Sequence, residues 1–145
     1  MENQPSASNP EKQSQTISLK LIVAQLLSQF QPKAVKHRSF IVNDVPEDLY
    51  VYAHKNNPVM IISSLLNSII SRSRRSCIRL SAKRYHDIIL FRLKDSTTAF
   101  THISNHDWQE VNMLAKKLDG CVIENEIRKE HATITFSFCN LANAA

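Results

Sequence analysis

The sequence predicts an α+β fold: a two-layer sandwich whose mixed, mostly antiparallel sheet carries three helices on one face. Three observations predict it. Three segments place apolar residues at helical intervals. Shorter segments between them alternate or are β-prone, in the order helix, strand, helix, hairpin, helix, hairpin. The length of 145 residues suits one domain with a real core and is too short for two comfortable ones.

Taken in order, residues 1–15 (MENQPSASNPEKQSQ) are polar and proline-bearing, which predicts a disordered tail or linker before a domain spanning 16–139. Ser18 can cap a helix through Leu19, Ile22, Val23, Leu26, Leu27 and Phe30. Pro32 is expected to end or kink it, and the basic run Lys33 to Arg38 to add at most another turn. Ser39 to Asn43 is β-prone, Asp44 and Pro46 mark a turn, and Leu49 to Tyr52 suits a short strand or extended link.

The central helix is expected over Pro58 to Arg75, with Asn57 as cap and Pro58 at the first position, where a missing amide costs nothing. Val59, Ile62, Leu65, Leu66, Ile69 and Ile70 form its apolar stripe, and Ser63, Ser64, Asn67, Ser68 and Ser71 a polar seam beside it. Cys77 to Lys83 alternates, with Ile78, Leu80 and Ala82 facing one way and Arg79, Ser81 and Lys83 the other; after a turn at Tyr85 to Asp87, Ile88 to Leu93 completes a hairpin with one buried face. Asp95 to Asn105 reads as loop. A third helix begins at Asp107, with Glu110 completing a capping box, and presents Trp108, Val111, Leu114, Ala115 and Leu118 until Gly120 closes it. Cys121 to Glu126 and Ala132 to Phe138 form the last hairpin, with Val122, Ile134, Phe136 and Phe138 in the core, and residues 140–145 fray.

Composition removes several function classes. No apolar run is long enough to span a bilayer and the opening has no signal-peptide core, so no membrane insertion and a cytoplasmic location are expected. Cys77, Cys121 and Cys139 are odd in number and lack a CxxC pair, which suits reduced structural thiols. Gly120 is the only glycine, where average usage gives about ten. Glycine-lined phosphate loops, which need close backbone approach or positive φ, are nearly excluded. The formal charge of +5 has one source: Arg72, Arg74, Arg75, Arg79, Lys83 and Arg84 fall in a stretch without an acid, while the rest carries 12 basic and 13 acidic side chains.

From about Ile17 to Phe138 the chain resembles the ATP-binding catalytic domain of sensor histidine kinases, the Bergerat or GHKL fold. ISLKLIVAQLLSQFQPKA resembles that family's first helix with its Pro-Ala tail, and SFIVNDVPEDLYVYAHKNN the strand leading to the next helix. SSLLNSIISRS is similar to the helix holding the asparagine box, and CIRLSAKRYHDIILFRLKDS to the hairpin ending in the nucleotide-binding Asp. VNMLAKKLDGCVIENEIRKEHATITFSF resembles the closing helix and hairpin.

The resemblance implies a nucleotide site whose residues this chain has changed. The family's N-L-L-x-N-A-x-K pattern falls with its two asparagines and lysine on Ser64, Ser68 and Ser71. Asn67 lies one position out of register, about a hundred degrees around the helix. A serine hydroxyl can ligate Mg²⁺ but reaches less far than a carboxamide. The D-x-G-x-G box falls on DSTTA, keeping Asp95 for the adenine amino group but replacing the glycines by Thr97 and Ala99. About a dozen residues, none of them glycine, separate Asp95 from Trp108, where the family has a long lid and a second glycine box. Phosphoryl transfer rests on positioning and charge stabilisation, so these changes together imply a loss of several orders of magnitude. No histidine lies in a phosphoacceptor H-E-x-x-x-P context.

Competing readings exist for each residue. Asp95 can be a turn former, the serine seam a close-packing face, and His102 with His106 a metal pair only on a helix with a third ligand. The basic block can complement a helix dipole or contact an acidic partner, another anion or a nucleic acid. Only Tyr85 supplies aromatic interleaving, which disfavours single-stranded nucleic acid. The sequence therefore predicts a degenerate kinase-like domain of two-component signalling that docks on proteins, a helical phosphoacceptor domain or a response regulator, and needs no cofactor. One alternative is a divergent domain binding ATP and Mg²⁺ through Asp95, Ser64, Ser68, Ser71 and Thr97. A second is a basic module for nucleic acid or another polyanion.

Overall fold

The computed structural model describes residues 16–52, 57–96, 105–116, 122–127 and 132–140. Strand β1 (Thr16–Ser18) leads directly into α1 (Leu19–Lys36), followed by β2 (Phe40–Asn43), β3 (Tyr50–Tyr52), α2 (Asn57–Arg72), β4 (Cys77–Tyr85), β5 (Ile88–Asp95), α3 (Asn105–Lys116), β6 (Val122–Ile127) and β7 (Ala132–Cys139). The five-stranded sheet has the order β2-β4-β5-β7-β6. Only β2 and β4 run parallel; the other three pairings are antiparallel. The α+β sandwich read from the sequence is the fold observed.

Alternation along the strands decides which face is covered. Ile78, Leu80 and Ala82 of β4, Ile89, Phe91 and Leu93 of β5, and Ile134, Phe136 and Phe138 of β7 are buried. Arg79, Lys83, Arg92 and Lys94 point to the opposite, exposed face. Phe91 and Phe136 are Cα partners across β5 and β7, with ring centroids 5.2 Å apart. Above this layer α2 presents Ile61, Ile62, Leu65, Leu66, Ile69 and Ile70, all fully buried. Packed on either side of α2 are α1, through Leu19, Val23, Leu26 and Leu27, and α3, through Val111 and Ala115.

Ser18 caps α1 as expected, its Oγ accepting from the Leu21 amide at 3.3 Å. The helix does not stop at Pro32 but runs on to Lys36. Beyond the proline, the fully buried Ala34 packs into the core, and its carbonyl accepts from the His37 and Ser39 amides. That last turn is held by tertiary contacts and a closed cap, which offset the hydrogen bond that proline removes. The central helix ends at Arg72, three residues earlier than expected, because Ser73 turns the chain with its amide and Oγ both donating to the Ile70 carbonyl.

The third helix begins at Asn105, so Asp107 lies inside its first turn and is not the cap of a capping box. Its carboxylate is drawn sideways to Arg72, 3.4 Å away, while still complementing the helix dipole. Leu118, Gly120, Cys121 and the proposed tails at 1–15 and 141–145 lie outside the described residues.

Two small features escape the periodicity. Strand β1 pairs antiparallel with β3, and the Leu19 amide donates to the Leu49 carbonyl. Asn140, assigned by sequence to the fraying end, is buried; its side chain donates to the Tyr50 carbonyl and accepts from the Tyr52 amide, tying this two-stranded ribbon to the end of β7. No helix among the described residues is long and apolar enough to cross a membrane.

Two stability outcomes follow. Phe136→Ala, which empties a fully buried ring site, is expected to cost about 3–5 kcal/mol, whereas Phe40→Ala on the exposed face should stay within about 0.5 kcal/mol; urea unfolding followed by circular dichroism measures both. Ser18→Ala removes the α1 cap and is expected to cost about 1 kcal/mol by the same measurement. Equal midpoints for the two Phe variants would contradict the assigned core.

Candidate functional site

Because α2 buries its apolar stripe, only a narrow seam faces outward. It forms the floor of a groove of about 610 Å³ between α1 and α3. Val59, Met60, Ser63, Ser64, Asn67 and Ser68 of α2 line it, with Leu26 and Phe30 from α1 and Asp107, Glu110 and Leu114 from α3. Ser64 and Ser68, aligned above with the asparagine box, therefore do share a cavity. Asp107 and Glu110 join them because three positions along a helix return to one face. The sequence reading took these two acids for a capping pair; their shared i, i+3 face was the signal that they oppose the serine seam.

The other candidates are held elsewhere. Ser71 Oγ donates to the Asn67 carbonyl at 2.7 Å and accepts from Lys33 Nζ at 2.8 Å. The same ammonium donates to Asn67 Oδ1 at 3.1 Å. Lys33 thus brings a positive charge from α1 to Ser71, the residue on which the resemblance places the pattern's lysine. That charge was invisible in the sequence because it arrives from a different element. Asp95 is fully buried at the end of β5, between Ile78 and Ala132 in register, and is not among the described residues that line the groove. Thr97 and His102 lie outside the described residues. Among those described, no three His, Cys, Asp or Glu side chains gather to hold a metal ion.

A Mg²⁺-triphosphate needs donors and positive charge around its phosphates. This groove offers serine hydroxyls on one wall and two carboxylates on the other, with no cationic side chain among its described lining residues. Arg72 does approach, but its Nη1 is shared between Asp107 Oδ2 at 3.4 Å and the Ser68 carbonyl at 3.2 Å. Unpaired carboxylates suit a cation and repel a polyphosphate; of the two described here, Asp107 is paired with Arg72.

The basic block divides in two. Arg72 is engaged as described. Arg79 donates to Asp44 at 2.7 Å, and that hydrogen bond and charge hold the guanidinium above its ordinary pKa range. Arg84 Nε donates to the His86 carbonyl, and Lys83 lies over the Tyr85 ring. Arg74 and Arg75, by contrast, stand exposed on the corner between α2 and β4.

No protein-family model and no curated protein matches the sequence. Solved structures do match. Histidine kinase AdeS of Acinetobacter baumannii superposes with a TM-score of 0.73 at 12% identity, over 88% of this chain and 68% of that one. The nucleotide-free catalytic domain of histidine kinase ThkA gives 0.71 at 14% identity, over 90% and 99%. ThkA in complex with the response regulator protein TrrA gives 0.70 at 14% identity, over 91% of this chain and 43% of that one. At such identities the likeness is one of architecture, and the architecture is that of histidine-kinase catalytic domains, the GHKL ATPase-like fold.

Proposed function

We propose that this domain serves two-component signalling by docking on a protein partner, a helical phosphoacceptor domain or a response regulator, and not by ATP-dependent phosphoryl transfer. The observation that carries this reading is the charge of the groove: carboxylates of Asp107 and Glu110 face the seam of Ser64 and Ser68, where a kinase would need donors for a triphosphate. The fold supports the signalling context, and ThkA, which shares it, forms a complex with a response regulator. A divergent nucleotide-binding domain is the alternative, with Asp95 at the end of β5 in its favour.

Thermal unfolding with Mg-ATP and with Mg-ADP decides between them. A ligand at a hundred times its dissociation constant adds about 2.7 kcal/mol, a shift of several degrees for a domain of this size. No shift is expected at millimolar nucleotide. A shift that disappears in Asp95→Asn would overturn the docking reading in favour of the alternative.

A further inference from the structure

At the C-terminal ends of α1 and α2 two chain corners lie side by side and enclose a notch of about 420 Å³, lined by Lys36, His37, Arg38, Arg74 and Arg75. The main chain fixes its shape. The Arg75 amide donates to the His37 carbonyl at 3.1 Å, the Ser76 amide to Ser39 Oγ at 3.1 Å, and both serines are buried. The basic side chains are not needed to close the helices. Ala34, Val35 and Ile70 carbonyls already accept from the His37, Arg38, Ser39 and Ser73 amides.

Among the described residues Lys36, Arg38, Arg74 and Arg75 make no ion pair, side-chain hydrogen bond or ring contact, whereas Arg72, Arg79 and Arg84 are hydrogen-bonded and Lys83 lies over the Tyr85 ring. Arg38 and Arg75 moreover occupy the left-handed region, at φ 56° and 53°, where glycine is the low-cost residue. Like charges gathered within a Debye length and left without a counter-charge repel one another, and a bound anion relieves that repulsion. Two large apolar side chains adjoin the first corner in sequence: Val35, 66% exposed, and Phe40, 58% exposed.

We propose that this notch is a docking site for an acidic protein segment that sets two or more carboxylates among Lys36, Arg38, Arg74 and Arg75 and an apolar side chain against Val35 or Phe40. A nucleic acid fits less well. Its phosphates repeat along a track, whereas Arg79, Lys83 and Arg84, the members of the basic block beyond the notch, are engaged by their own chain. The inference deepens the docking reading by naming a surface for it.

Fluorescence anisotropy with the whole chain tests it, using a labelled peptide in which Glu alternates with Leu and Phe, the same peptide with Gln for Glu, and a mixed-sequence DNA duplex. The acidic peptide is expected to bind and the Gln peptide not to. Arg38→Gly with Arg75→Gly should weaken binding roughly tenfold or more, the loss of two charge-assisted contacts, with a melting temperature unchanged or raised. Lys36→Gln with Arg74→Gln, which leaves both left-handed positions alone, should weaken it similarly. Lys83→Gln with Arg84→Gln should stay within about twofold of the parent. Absence of peptide binding at low salt, binding by both notch variants as tight as the parent's, or displacement of the peptide by the duplex at lower concentration would overturn the proposal. Stabilisation by Mg-ATP would overturn the docking reading while leaving a positive peptide result standing. A flat nucleotide titration without peptide binding would remove the notch alone.

Discussion

Everything in this structure depends on how α2 is buried. Ile61, Ile62, Leu65, Leu66, Ile69 and Ile70 are all fully enclosed, so the helix is wrapped by the sheet below and by α1 and α3 at its sides. Each such side chain contributes about 1.5–3 kcal/mol relative to exposure, and that sum fixes the rotation of the helix about its axis. With the rotation fixed, the only residues free for chemistry are those of the outer seam. Serine or asparagine at a seam position is tolerated by packing, while its reactivity is set by what α1 and α3 bring opposite it.

What they bring is structural. Lys33 reaches across from α1 to Asn67 and Ser71, and Arg72 reaches across to Asp107 of α3. These two polar bridges fasten the flanking helices to α2. Exposed or partly exposed pairs of this kind contribute little stability, about 0–1 kcal/mol each. Their consequence lies in occupancy. A cation already shared between a carboxylate and a carbonyl has less field to offer a phosphate.

The fold was legible in the sequence because it rests on periodicity. The stripe of α2, the alternation of β4, β5 and β7 and the Ser18 cap all emerge from spacing alone. Helix ends were less legible. Pro32 reads as a stop or a kink with another turn after it, and the buried Ala34 and the capped last turn decide that α1 runs on to Lys36, a tertiary support with no local signature. Strand β1 is three residues long and exists through its pairing with Tyr50–Tyr52. Of the candidate site, Ser64 and Ser68 lie in a groove, but Asp107 and Glu110 enter it from α3 and Lys33 reaches Asn67 and Ser71 from α1, and one-dimensional spacing does not record which helices are neighbours. The basic block was legible as composition only. Which of its members are engaged was decided by Asp44, Tyr85, His86 and Asp107, and its partners in the notch, Lys36 to Arg38, lie some 35 residues earlier in the chain.

The scarcity of glycine links these observations. A phosphate-binding loop recognises its ligand through bare backbone amides, and it needs glycine to expose them. Gly120 lies outside the described residues, and the two corners of the notch are made by other means: buried hydroxyls of Ser39 and Ser76, and Arg38 and Arg75 at positive φ. Such corners are less permissive than glycine turns, and each carries a long cationic side chain outward from a fixed backbone point. At the notch the chain presents guanidinium groups. Guanidiniums on an open rim reach carboxylates of an approaching protein surface, whereas a triphosphate in the α2 groove would meet Asp107 and Glu110. The recognition by side chain proposed at the helix ends accords with these corners.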